Sequence, residues 1–182
     1  MPVSGGAQFL NPKEIIAKVG LIEGMKVADF GCGNLGYFII PAAKVIGKGG
    51  TAYAVDILKT ALESVRSRAK LDGLTNLETV WANLEDPVSI KIPIGSLDVA
   101  FLKNVLFQNK KHKEIISGTV KFLKKGGKLL IVDWKKIGIP FGPPVEIRVD
   151  KENIKAIANA LNLKLIEETE FGDYFWGLIY EK

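Results

Sequence analysis

A chain of 182 residues, 47% hydrophobic and 25% charged, has enough apolar side chains for one buried core, a balance that points away from disorder and from a membrane-embedded protein. One cysteine and one histidine exclude an internal disulfide framework and a zinc cluster. The formal charge of +5 is uneven, since residues 103–136 hold ten lysines against Glu114 and Asp133; this raises an anionic partner beside the plainer reading of a solvated lysine-rich face.

In chain order, Asn11-Pro12-Lys13-Glu14 reads as a helix start, with a capping Asn and a proline suited to the first helical position. Ile15, Ile16 and Val19 form its apolar stripe. Residues 26–30 are a strand that runs into Gly31, Gly33 and Gly36, a G-x-G-x-x-G pattern. A helix is expected over 36–46, where Pro41 requires a later start or a bend. Residues 51–55 are a continuous apolar strand ending in Asp56, typical of a sheet covered on both faces. Leu58, Leu62, Val65 and Ala69 recur at helical spacing up to Leu71, before Asp72-Gly73.

Residues 77–81 form a third strand, followed by Ala82-Asn83-Leu84. A fourth runs over 97–102 and ends at Lys103-Asn104. A helix is expected over 113–124, a turn at Gly126-Gly127, and a fifth strand over 128–132 ending in Asp133-Trp134. Residues 135–149 form a long loop containing Pro140, Gly142, Pro143 and Pro144. Asp150 caps a further helix, and 164–171 and 174–180 are two closing strands. Apolar runs fall short of the roughly 20 residues a membrane helix needs, and residues 1–6 show no leader pattern. One cytoplasmic domain over 1–182 is expected.

Regular alternation of strand and helix predicts an open α/β sheet, mostly parallel, with helices on both faces. Ligands bind such sheets outside the carboxyl ends of the strands. That rule gathers Gly31 to Gly36, Asp56, Asn83, Lys103-Asn104 and Asp133-Trp134 on one rim. Two cofactor classes fit the glycine turn, each with a ribose diol for Asp56. A dinucleotide would bring phosphates close to Asp29. At ~5 Å and an effective dielectric of about 20, like charges cost ~3 kcal/mol. A cofactor with an ammonium and a sulfonium, such as S-adenosylmethionine, reverses the sign.

Val27-Ala28-Asp29-Phe30-Gly31-Cys32-Gly33 resembles motif I of the class I S-adenosylmethionine-dependent methyltransferases. Tyr53-Ala54-Val55-Asp56 resembles their second motif, and Leu123-Lys124-Lys125-Gly126-Gly127 the turn before their fifth strand. Within the class, the chain looks closest to the small ubiquinone/menaquinone C-methyltransferase-like group. The resemblance implies a Rossmann-like three-layer sandwich with a seven-stranded sheet of order 3-2-1-4-5-7-6, strand 7 antiparallel. The glycine loop departs from the usual pattern by one extra residue at Asn34-Leu35.

The resemblance implies a cofactor set of Asp29, Gly31, Cys32, Gly33, Asp56, Ile57, Asn83, Leu84 and Lys103. Asp29 would face the methionine ammonium, Asp56 the ribose hydroxyls, Ile57 the adenine ring, and Asn83 the adenine amino group, with Leu84 nearby. Asn104 is a weak candidate for a catalytic role. With Trp134 and Phe141 it forms the expected acceptor site, and Phe175 and Trp176 add to an apolar pocket. No strong base is visible; His112 lies in a basic run. The expected activity is methyl transfer to a small molecule. A nucleic-acid methyltransferase or RNA-binding homologue using 103–136 is the alternative, and an NAD-dependent oxidoreductase a weaker one, for want of a Tyr-x-x-x-Lys pair. Oligomeric state is not readable from these patterns.

Overall fold

A computed structural model describes Gly6 and residues 9–182. Helix α1 (Pro12–Val19) starts where the sequence sets it. The Asn11 side chain accepts the Lys13 N–H at 3.0 Å, and Gly20 ends the helix in the left-handed region at φ 70°. Strand β1 (Lys26–Phe30) follows, then α2 (Ile39–Ile46), β2 (Thr51–Asp56), α3 (Lys59–Leu71) and β3 (Leu77–Trp81). The second half holds β4 (Leu97–Lys103), α4 (His112–Phe122), β5 (Leu123–Trp134), α5 (Lys151–Ala160), β6 (Lys164–Phe171) and β7 (Phe175–Glu181).

The seven strands form one sheet in the order β3-β2-β1-β4-β5-β7-β6, with β7 antiparallel to both neighbours and the rest parallel. This is the order the family resemblance implied. The crossovers β1-α2-β2 and β2-α3-β3 step one way along the sheet, and β4-α4-β5 steps the other way. Right-handed connections therefore put α2 and α3 on one face and α4 on the other. β1 and β4 lie side by side where the direction reverses, and are almost wholly buried. A sheet covered on both faces needs such unbroken apolar strands.

Two expected boundaries move. α2 begins at Ile39, three residues later than expected, which places Pro41 in its first turn, where a missing N–H costs no intrahelical bond. The expected helix over 113–124 stops at Phe122, and β5 starts at once with Leu123 paired to Leu97. Gly126-Gly127 is thus an irregularity inside a strand, not a turn before one. β4 pairs Leu97 with Leu123 and Val99 with Lys128, so residues 124–127 bulge outward. The C-terminus ties the bulge down, with Gly126 N–H donating to Lys182 O at 2.8 Å and Lys182 N–H to Gly127 O at 3.0 Å.

Candidate active site

The rim is built from the glycine loop outward. Gly31, Gly33 and Gly36 adopt φ of 84°, 65° and 55°, a region L side chains avoid. Their surroundings differ. A Cβ on Gly31 would come within 2.5 Å of Val105 Cγ2, and one on Gly36 within 3.1 Å of Ile40 and Val65. A Cβ on Gly33 would meet nothing within 4 Å. Gly31 and Gly36 therefore serve close packing, while Gly33 faces the open rim. The Gly31 and Cys32 N–H groups donate to Val55 O, which ties the loop to β2. The extra residue at Asn34-Leu35 is absorbed in the turn before Ile39.

Asp29 and Lys103 come from β1 and β4, one each side of the switch point. The Lys103 ammonium donates to Asp29 Oδ1, and both residues are buried. The ammonium also lies 4.3 Å from the Phe38 ring centre and 5.6 Å from that of Phe101. Burial pushes the Asp29 carboxyl up from its ordinary value, and Lys103 pulls the other way. Asp29 Oδ2 has no hydrogen-bond partner among the described residues. Cys32, beside this pair, is buried, and desolvation with the nearby Asp29 and Asp56 charges raises its thiol well above the usual range. That makes Cys32 a neutral packing group.

Asp56 ends β2. Its two carboxylate oxygens accept the Gly33 and Leu58 N–H groups, both at 2.9 Å, so the acid ties the glycine loop to the segment leading into α3. Ile57 beyond it is 53% exposed, an apolar side chain left at the rim. The indole of Trp81 donates to Ile57 O at 2.8 Å. Ala82 N–H donates to Asp56 O, which keeps Asn83 and Leu84 next to the β2 end. Asn83 is an exposed turn residue whose side-chain oxygen accepts the Glu85 N–H at 3.0 Å.

The acceptor-side candidates lie on the β4-β5-β7 part of the rim. Asn104 takes φ 53°, donates its N–H to Val132 O and receives Gln108 Nε2 on its carbonyl. Asp133 is wholly buried, accepting the Leu106 and Phe107 N–H groups on one oxygen and the Trp134 N–H on the other. Trp134 is also fully buried, so it is a floor and not a lining residue of an open pocket. Phe175 lies tilted against it with ring centres 4.4 Å apart, while Phe9 and Phe141 cover it at 6.5 and 6.3 Å. Trp176 is turned inward to donate to Trp134 O. Phe141 is half-buried and packs with Phe9 and Tyr174. His112 is half-buried, its Nε2 2.9 Å from Leu106 O.

One residue escaped the sequence reading. Arg148 is buried, and its guanidinium donates to the carbonyls of Lys135, Ile137, Phe141 and Pro143 while lying over Trp134 at 5.4 Å. Nothing in its spacing marks it, because its partners are backbone atoms. The structure thus brings together Asp29, Lys103, Cys32, the glycines and Asp56 on one side, with Asn83 and Leu84 at their edge. Phe141 packs against the floor Trp134 as a second group, and Asn104 follows the end of β4, bonded to Val132 of β5 and to Gln108.

Residues 21–171 match a protein family described as a methyltransferase domain. A relative from Methanosarcina acetivorans, "Probable cobalt-precorrin-6B C(15)-methyltransferase (decarboxylating)", is 32% identical over 161 residues, covering 82% of this chain and 83% of that one. A ubiquinone/menaquinone biosynthesis C-methyltransferase from Laribacter hongkongensis is 28% identical over 80% of this chain and 57% of its own. The chain spans between 56% and 60% of the length of several curated relatives. Among solved structures, a SAM-dependent methyltransferase from Aquifex aeolicus shares the fold with a TM-score of 0.86 at 22% identity, over 97% of this chain and 92% of that one.

Proposed function

Because the chain belongs to the methyltransferase domain family, whose cofactor is S-adenosylmethionine, we propose that it transfers a methyl group from that cofactor to a small organic molecule. The relatives named as C-methyltransferases support carbon as the accepting atom. The observation that carries the reading is the placement of two carboxylates, Asp29 and Asp56, at the ends of neighbouring strands beside the open face of Gly33.

The residues fit the cofactor. Asp29 Oδ2 is a buried acceptor with no donor among the described residues, suited to an ammonium. Each Asp56 oxygen receives one N–H, and a carboxylate oxygen has a second lone pair for a ribose hydroxyl. Ile57 offers an exposed apolar face to adenine, with Asn83 and Leu84 at the adenine edge. When bound, the cofactor supplies a methyl group already activated on sulfur. The protein's share is then positioning and exclusion of water. Asn104 orients the acceptor at the end of β4. The Asp29–Lys103 pair changes one part of the sequence reasoning. With an ammonium beside it, Asp29 repels a diphosphate less than a lone carboxylate would, so family membership, more than charge, separates the two cofactor classes.

Calorimetric titration with S-adenosylmethionine, S-adenosylhomocysteine and NAD tests the reading. Binding of the first two is expected, and binding of NAD alone would reverse it.

A further inference from the structure

Asp133 lies one residue before the end of β5 and is wholly buried, so a ligand has no path to its carboxylate. Its hydrogen bonds all come from backbone N–H groups. Trp134 donates to one oxygen, and Leu106 and Phe107 donate to the other at 3.1 and 3.3 Å. An ionised carboxylate only accepts, so it can gather several N–H groups at once. Leu106 and Phe107 belong to the segment over 104–108 that follows β4. Inside that segment, Gln108 N–H donates to Val105 O at 3.1 Å and Gln108 Nε2 to Asn104 O at 2.7 Å. Its ties to β5 are Asn104 N–H on Val132 O and the two N–H groups on Asp133.

The same segment packs onto the glycine loop. Val105 Cγ2 occupies the space a Cβ on Gly31 would need, 2.5 Å from it. Gly31 and Cys32 in turn donate their N–H groups to Val55 O on β2. One chain of contacts therefore runs from Asp133 through Leu106, Phe107 and Val105 to Gly31, across the switch point of the sheet. Burial raises the Asp133 carboxyl to about 7, so its charge lowers stability from neutral pH upward. An apolar side chain of like size would avoid that cost, but would leave two buried N–H groups without an acceptor. The carboxylate thus fixes a geometry at the expense of stability. Building on the S-adenosylmethionine reading above, we propose that Asp133 is a positioning residue of the methyl-transfer site, which fixes the segment over 104–107 from β5 and, through Val105, seats the glycine loop for the cofactor. Asn104 at the end of β4 is set in place by the same tie.

The test joins calorimetry with S-adenosylhomocysteine to amide exchange in the free chain, on Asp133→Leu, Asp133→Asn and Val105→Ala. Asp133→Leu removes the acceptor of both N–H groups. It should weaken S-adenosylhomocysteine about ten-fold and speed exchange at Gly31 and Cys32. Asp133→Asn keeps an oxygen for Leu106 and Phe107, so affinity and exchange should stay near those of the wild type. On a Val105→Ala background, Asp133→Leu should add less than its full effect, because both changes act on one contact. Unchanged affinity and exchange in Asp133→Leu overturn the proposal. So do equal losses in the Leu and Asn variants, or fully additive losses in the double variant, because Asp133 would then act by general loosening. If Asp133→Leu does not fold, Val105→Ala decides: it should itself weaken the ligand and speed exchange at Gly31 and Cys32, and wild-type behaviour in both overturns the proposal. Should the wild type not bind S-adenosylhomocysteine, the cofactor reading itself falls, while exchange at Gly31 and Cys32 still decides whether Asp133 seats the loop.

Discussion

Asp133 is wholly out of water, and three backbone N–H groups hold its carboxylate. Burial outweighs those donors and pushes the carboxyl from 3.8 up to about 7. The folded chain therefore keeps a proton that the unfolded chain has already lost. This contribution is fully present below about pH 4, falls as pH rises toward 7 and levels off above it, by at most on the order of 4 kcal/mol. Asp29, also raised by burial, adds to the fall in the same direction. Asp133→Asn carries no titrating proton, so its stability should decline less between pH 5 and 8 than the wild type's, as read from denaturant melts at both pH values. It also loses one acceptor, since an amide nitrogen cannot accept the Trp134 N–H, a cost of about 1 kcal/mol at pH 5. Asp56 belongs to a different case. It ties Gly33 and Leu58 in place, so Asp56→Ala should lower stability by about 1–2 kcal/mol. The same change should weaken S-adenosylhomocysteine at least ten-fold in calorimetry; unchanged affinity would remove Asp56 from the site.

At the level of elements, the loop over 135–149 is organised from its far end. Arg148 reaches back to four carbonyls and lies over Trp134. Arg148→Met would leave those carbonyls to water and free the loop from its floor. Stability should drop by about 2–3 kcal/mol, and amide exchange should speed up across 135–147 with little change in β1 or β4. Arg148→Lys should not restore protection, because a point charge cannot serve four carbonyls set in a fan. The bulge of β5 is held in another way. A Cβ on Gly127 would lie 2.9 Å from the carbonyl oxygens of Leu97 and Lys124, both backbone atoms that cannot step aside. Gly127→Ala should therefore cost about 1–3 kcal/mol in thermal or denaturant melts. These elements show where the sequence was legible. The strands, the Asn11 and Asp150 caps and the rim positions of Asp29 and Asp56 could be read, because periodicity and capping act over a few residues. The Gly126-Gly127 bulge depends on a distant C-terminal pairing, and the Arg148 clamp on carbonyls that carry no residue identity. The burial of Trp134 follows from three segments meeting, among them Phe9 and Phe141, which local spacing cannot show.

Across the whole molecule, the lysine-rich stretch over 103–136 does not form one surface. Lys103 is buried against Asp29, Lys111 pairs with Glu85, Lys124 with Asp98 and Lys135 with Glu170, and Lys128 donates to Val19 O. Lys125 and Lys136 are exposed at opposite ends of β5, on the order of 30 Å apart. Lys110, Lys113 and Lys121 are exposed at the start and along the length of α4. A net of +8 counted along the chain, ten lysines less Glu114 and Asp133, is thus dispersed in space. Affinity for a phosphate backbone grows with the number of phosphates neutralised together, and that number also sets its salt dependence. Scattered lysines give a small number, so labelled single-stranded RNA should show no saturable binding below about 10 μM at roughly 150 mM salt in fluorescence anisotropy, a level no tighter than non-specific association. Removing salt should strengthen the interaction only shallowly, and Lys110→Ala with Lys113→Ala should change it little. A submicromolar affinity that falls steeply with salt would instead reveal an anion-binding surface and move the nucleic-acid alternative ahead of the small-molecule reading.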